Sequence, residues 1–87
     1  MAEYPCNFRY QSSDQTLHWD GSEGADEYLI EYTPDPLQLD WLVAYSGGND
    51  TQCSFNKPPN TYSAKGKTKE KDKWTGFGPA EIITINP

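Results

Sequence analysis

Apolar and polar positions alternate along this chain in short runs, and the period is two almost everywhere. In Pro5–Tyr10, Cys6, Phe8 and Tyr10 share one parity. In Thr16–Trp19, Leu17 and Trp19 point one way and His18 the other. Glu27–Thr33 sets Tyr28, Ile30 and Tyr32 against Leu29 and Glu31. Trp41–Tyr45 is a shorter run, suited to an edge. Thr51–Phe55 aligns Thr51, Cys53 and Phe55, and Thr61–Thr68 sets Tyr62, Ala64 and Gly66 opposite Lys65 and Lys67. Glu81–Ile85 closes the series with Ile83 and Ile85 inward. Turn-forming clusters separate the runs: Gln11 to Asp14, the acidic stretch from Asp20 to Asp26, Pro34-Asp35-Pro36, Ser46 to Asp50, and Pro58-Pro59-Asn60. No segment carries the i, i+3, i+4, i+7 spacing of an amphipathic helix. The pattern predicts an all-β fold: a seven-stranded, two-sheet antiparallel sandwich. The first, second and fifth strands form one sheet, and the fourth, third, sixth and seventh the other. The third and sixth then pair, which sets Glu31 against the Lys65 and Lys67 region. Lys69 to Phe77 reads as a long polar loop.

Composition narrows the picture. The 87 residues suit a single domain spanning 1–87, with a modest core. Hydrophobic residues make up only 34 %, but 14 % of the chain is aromatic, and large rings fill a core that few aliphatics supply. The formal net charge of −6 argues against nucleic acid as a partner. No apolar stretch is long enough to insert in a membrane, and no basic, then apolar, leader follows Met1. Localisation is not indicated beyond that. Cys6 and Cys53 fall on strands that flank a common neighbour, about 10 Å apart at two strand spacings. That exceeds disulfide reach, and free thiols are expected.

Few residues offer chemistry. His18 is the sole histidine, on the outward parity of its strand, with no second His or Cys at ligand spacing. Ser12, Ser13 and Asp14 lie near it in sequence but have the ordinary composition of a turn. Asp20, Glu23, Asp26 and Glu27 are read as a solvated acidic loop rather than a Ca²⁺ site, because no EF-hand spacing is present. Asn49-Asp50-Thr51 matches a glycosylation sequon without any other sign of a secretory route. No catalytic residue, metal site or cofactor is expected, and the chain is read as a non-enzyme. The segment holding Lys69, Lys71, Lys73, Trp74 and Phe77 is different: aromatics among charges have the composition of contact surfaces. These five are the candidate partner-binding residues. Trp74 suits either an exposed contact or a lid over the sandwich end, and Phe77 is expected to pack beside the last strand.

Five short stretches, in order, carry a family resemblance. Pro5-Cys6-Asn7-Phe8, Leu17-His18-Trp19-Asp20, Tyr28-Leu29-Ile30-Glu31-Tyr32, Pro58-Pro59-Asn60-Thr61-Tyr62 and Gly76-Phe77-Gly78-Pro79 together resemble a fibronectin type III domain. The chain departs from that pattern in a short first connection, in Phe55 standing one residue early, and in Pro59 replacing a turn glycine. It also lacks an Arg-Gly-Asp tripeptide. The resemblance implies an immunoglobulin-like sandwich that binds through loops or an edge strand, with the Lys69–Phe77 loop favoured. The expected function is therefore a protein-interaction or adhesion module with a protein partner. The alternatives are a structural component of a larger assembly, such as a phage virion decoration or tail module, and a spacer or carbohydrate-binding domain of an enzyme.

Overall fold

A computed structural model describes residues 2–87. Eight strands form, in the order β1 (Cys6–Gln11), β2 (Thr16–Asp20), β3 (Glu27–Thr33), β4 (Leu42–Gly48), β5 (Gln52–Ser54), β6 (Asn60–Glu70), β7 (Lys73–Trp74) and β8 (Glu81–Ile85). One sheet has the order β1-β2-β5. The other runs β4-β3-β6-β7, with β8 also paired to β6. All pairings are antiparallel. The two-sheet partition is the one expected of the sandwich, and the count is eight rather than seven because of β7. Strands β7 and β8 lie on the same edge of β6, at its two ends. They behave as one broken strand, interrupted by Gly76-Phe77-Gly78-Pro79.

The core consists of the inward parities. Phe8, Leu17, Trp19 and Phe55 meet Tyr28, Ile30, Tyr32, Tyr62, Ala64, Ile83 and Ile85. Trp19, 1 % exposed, packs against Phe8, Tyr28 and Tyr45. Phe55 stands edge-on to Tyr32 and Tyr62, with centroids 5.0 and 5.4 Å away. Such tilted pairs align ring edges with ring faces and contribute beyond their buried area. The Tyr62 hydroxyl donates to the Pro58 carbonyl at 2.6 Å, which ties the corner before β6 back to itself. Pro59 does not prevent this, because neither Pro59 nor Asn60 takes a positive φ. Phe55 lies beyond the end of β5. Its N–H bonds to the Gln15 carbonyl at 2.8 Å, and its ring enters the core from the turn.

Three local departures from strict alternation have visible causes. Asn7 adopts φ 56°, and the β1–β2 register shifts between Cys6 and Arg9. Past this bulge the expected face is kept: Phe8 is buried and Tyr10, half-exposed, packs on the Phe55 ring, whereas Cys6, before it, lies half-exposed opposite the outward Asp20. The Glu81 carboxylate accepts the Asn7 and Phe8 N–H groups at 3.1 and 2.9 Å, replacing the lost ladder bonds. Second, β4 starts one residue later than predicted and runs on to Gly48, with register shifts against β3 and Gly47 at φ 85°. Third, Lys69–Phe77 is not a long loop. β6 continues to Glu70, turns at Lys71 and Asp72 with φ of 51° and 67°, and returns as β7. Two consecutive positive φ values are the signature of a type I′ hairpin turn. The cysteines sit on β1 and β5, which flank β2; Cys6 is opposite Asp20 and Cys53 opposite Leu17, and both thiols are free.

Candidate functional site

Strand β6 has two unlike faces. Tyr62, Ala64, Gly66 and Thr68 are buried, while Lys65, Lys67 and Lys69 point outward. Alternate residues on a strand lie about 7 Å apart, so the three ammonium groups form a regular row. Strand β3 supplies the adjacent row in register: Glu31 opposite Lys65, Leu29 opposite Lys67, Glu27 opposite Lys69. The end lysines find their acids, Lys65 with Glu31 at 3.9 Å and Lys69 with Glu27 at 4.0 Å. The first pair is the one expected from the strand order.

Aromatic rings occupy the gaps in the lysine row. The Lys65 ammonium lies 4.1 Å from the Trp41 centroid and 4.5 Å from that of Phe77. The Lys67 ammonium lies between Phe77 and Trp74, at 5.0 and 4.9 Å. Lys69 is 5.9 Å from Trp74. Along the sheet the order is Trp41, Lys65, Phe77, Lys67, Trp74, Lys69. Each ammonium over a ring face is attracted by the ring quadrupole by about 0.5–1 kcal/mol at exposed sites. The ring contacts add to the two ion pairs in positioning the lysine side chains, and for Lys67 they act without an ion pair.

Each ring is positioned by its own segment. Trp74 is brought over Lys69 by the β6–β7 pairing. The hairpin is braced from the β2–β3 connection: Asp26 accepts the Lys71 N–H at 2.8 Å, and its own N–H bonds to the Lys69 carbonyl. Phe77 sits at the break between β7 and β8, where the Gly78 N–H bonds to the Gly66 carbonyl at 3.0 Å. Trp41 ends the β3–β4 connection. Its indole N–H donates to the Gln38 carbonyl, and the Gln38 amide reaches Ser63 on β6. Asp35 caps that connection by accepting the Leu37 and Leu39 N–H groups, which leaves the two leucine side chains exposed.

Of the five candidates, Lys69, Trp74 and Phe77 come together in this row. Trp74 and Phe77 remain 39 % and 38 % exposed. The Phe77 ring lies against the Lys65 and Lys67 ammonium groups of β6. Lys71 is at the hairpin turn, and Lys73, opposite Glu70, has the other parity from Trp74 on β7. Neither joins the row. Three members escaped the sequence reading: Lys65, Lys67 and Trp41. The lysines carried a signal in the shared parity of positions 65, 67 and 69. Trp41 carried none, since its approach depends on the fold of the β3–β4 connection.

The remaining sites are committed to structure. His18 Nε2 lies 2.7 Å from Thr16 Oγ1, which also bonds to Asp14, whereas Ser13 Oγ accepts from Gln11. In the acidic loop, Asp20 binds Asn7 and Arg9, and these hydrogen bonds hold its carboxyl below the usual range. Asp26 braces the hairpin and Glu27 faces Lys69. Among the described residues no group of three or more His, Cys, Asp or Glu is arranged to hold a metal ion. Asn49 is exposed between β4 and β5.

No protein-family model matches the chain. No curated protein matches it either. Among solved structures it is similar to a Fn3-like protein from Clostridium thermocellum, with a TM-score of 0.72 and 15 % identity. The alignment covers 99 % of this chain and 94 % of that one. At that identity the likeness concerns the fold alone, and it agrees with the all-β, two-sheet antiparallel architecture already described. In fold, the chain is a fibronectin type III-like β-sandwich domain.

Proposed function

We propose that this domain is a non-catalytic interaction module that binds a protein partner through the outer face of its five-stranded sheet. The observation that carries this reading is the alternating row of Trp41, Phe77 and Trp74 with Lys65, Lys67 and Lys69. Aromatic side chains concentrate binding energy at interfaces because they cover area with few rotatable bonds. Trp74 is held on β7, and Trp41 and Phe77 stand in connections hydrogen-bonded back to β6 or within themselves, which lowers the ordering entropy lost on docking. Two half-exposed rings contribute nothing to the core that would explain their placement.

The test is capture of a partner from the native host, followed by quantitative binding with variants of the row. Trp74→Ala should weaken binding by about 2 kcal/mol or more if the ring is a hot spot, and leave the melting temperature nearly unchanged. A Trp74→Ala protein that melts much earlier yet binds normally would make the ring a lid on the hairpin and place the contact surface elsewhere.

A further inference from the structure

Within the row, Lys67 differs from its neighbours. Lys65 and Lys69 each face a carboxylate across the β3–β6 pair, but the residue opposite Lys67 is Leu29. Among the described residues no carboxylate comes within 4.0 Å of its ammonium. Its ammonium lies instead over the neutral rings of Phe77 and Trp74 on either side. The face thus has three ammonium groups and two carboxylates, which leaves one positive charge, and that charge sits at the centre with apolar surface around it. The paired charges stand at the two ends. This is the anatomy of an interface, with an apolar centre and a polar rim.

Resting on the reading that this face binds a protein, we propose that Lys67 receives a single carboxylate from an extended partner segment, with apolar side chains flanking it. An ammonium group has three donors and no acceptor, and a carboxylate accepts from it in a charge-assisted bond. Phe77, Trp74 and Leu29 shield that bond from water once the partner is seated, which strengthens it. In an extended segment, the residues two before and two after the acid share its face, about 7 Å away on each side. That spacing brings them over Trp41 and Phe77 at one end and over Trp74 at the other, where apolar side chains cover the exposed rings. Further acids at those positions meet Lys65 and Lys69 already neutralised by Glu31 and Glu27, so the attraction is offset by repulsion from the glutamates. The same argument disfavours a single-stranded nucleic acid, whose successive phosphates cannot avoid both glutamates. The row therefore selects one negative charge rather than many.

The probes are capped peptides titrated into isotope-labelled protein and followed by NMR. Acetyl-Leu-Ser-Glu-Ser-Leu-amide should shift the signals of Lys67, Phe77 and the Trp74 indole. Its counterpart with Gln for Glu should bind about tenfold more weakly, the loss of one charge-assisted hydrogen bond. Lys67→Gln should weaken the Glu peptide by the same factor and leave the Gln peptide unaffected. A peptide with Glu at all three alternate positions should bind no tighter than the single-Glu peptide. Equal affinities for the Glu and Gln peptides would overturn the proposal. So would tighter binding of the triple-Glu peptide or of oligothymidylate, because the face would then be a general anion attractor. The module reading is judged separately: a native partner that depends on Trp74 but is indifferent to Lys67→Gln refutes the single-carboxylate site and keeps the interaction surface.

Discussion

At the scale of single residues, the domain depends on a few large rings. Trp19 touches rings from both sheets and is almost fully buried. Truncation to alanine leaves a cavity that neighbouring aromatics cannot collapse into. Trp19→Ala should cost about 3–5 kcal/mol, a loss that chemical denaturation measures directly and that is comparable to the whole stability of many domains this small. An unchanged melting temperature would contradict the core assignment. Cys53 makes a different prediction. Burial pushes its thiol up from 9.0 to about 11. The folded state thus holds the proton more tightly than the unfolded chain. The resulting stabilisation is fully present below pH 9 and is lost as the pH rises towards 11. Unfolding measured across that window should show a shallower decline for Cys53→Ala than for the parent. Cys53 should also react slowly with alkylating reagents at pH 8 in the native protein, because the thiolate is the nucleophile. Phe8, Trp19, Tyr28 and Tyr62 were legible as core because burial on a strand follows parity. Asn7 was not. Its left-handed conformation answers to the Glu81 carboxylate on a strand 74 residues away.

Among the elements, the β6–β7 hairpin is the informative one. Its turn uses Lys71 and Asp72 at positions that favour Asn and Gly. That is why no turn signal stood out, and why Lys69 to Phe77 read as a loop. Left-handed conformations cost non-glycine residues about 1–2 kcal/mol each. The Lys71 N–H bond to Asp26 offsets part of that cost. Replacing the pair by Lys71→Asn with Asp72→Gly should therefore raise the melting temperature, by about 4–8 °C for each kcal/mol gained in a domain of this size. Scanning calorimetry checks this, and a lower melting temperature would mean that the turn is held by contacts other than its backbone. Asp26→Ala should act oppositely and loosen the hairpin, with a shift in Trp74 fluorescence. By contrast, β3 and β8 were predicted to the residue. Both are flanked by chain breakers and alternate without interruption.

Over the whole molecule, charge is uneven. Five of the seven basic residues fall between Lys65 and Lys73. Folding partly cancels that run by pairing Lys65 with Glu31 and Lys69 with Glu27, and leaves Lys67 between them without a carboxylate partner. The remaining surface is acidic, consistent with the net charge of −6. A partner approaching the lysine row is attracted locally and repelled elsewhere, which favours one docking orientation. Added salt should slow association with an acidic partner while changing dissociation little. Stopped-flow or surface-based kinetics over a range of ionic strength distinguish the two rates. An association rate independent of salt would show that the lysines hold the rings in place without steering the partner.

Strand identity and the sorting of side chains into core and surface follow from this sequence alone. Those features depend on parity and on turn residues, which are local. Whether the lysine run became a patch was decided by tertiary pairing. Trp41 and Phe77 are 36 residues apart, yet both flank Lys65 because the β3–β4 connection and the break between β7 and β8 converge on one face of β6. The register of β3 against β6 placed Leu29 rather than a glutamate opposite Lys67. A shift of two residues would retain every parity and every buried ring, and would give Lys67 an acid. Alternation specifies which face a side chain takes, but its neighbour across the sheet is set by the register, and long-range packing decides that.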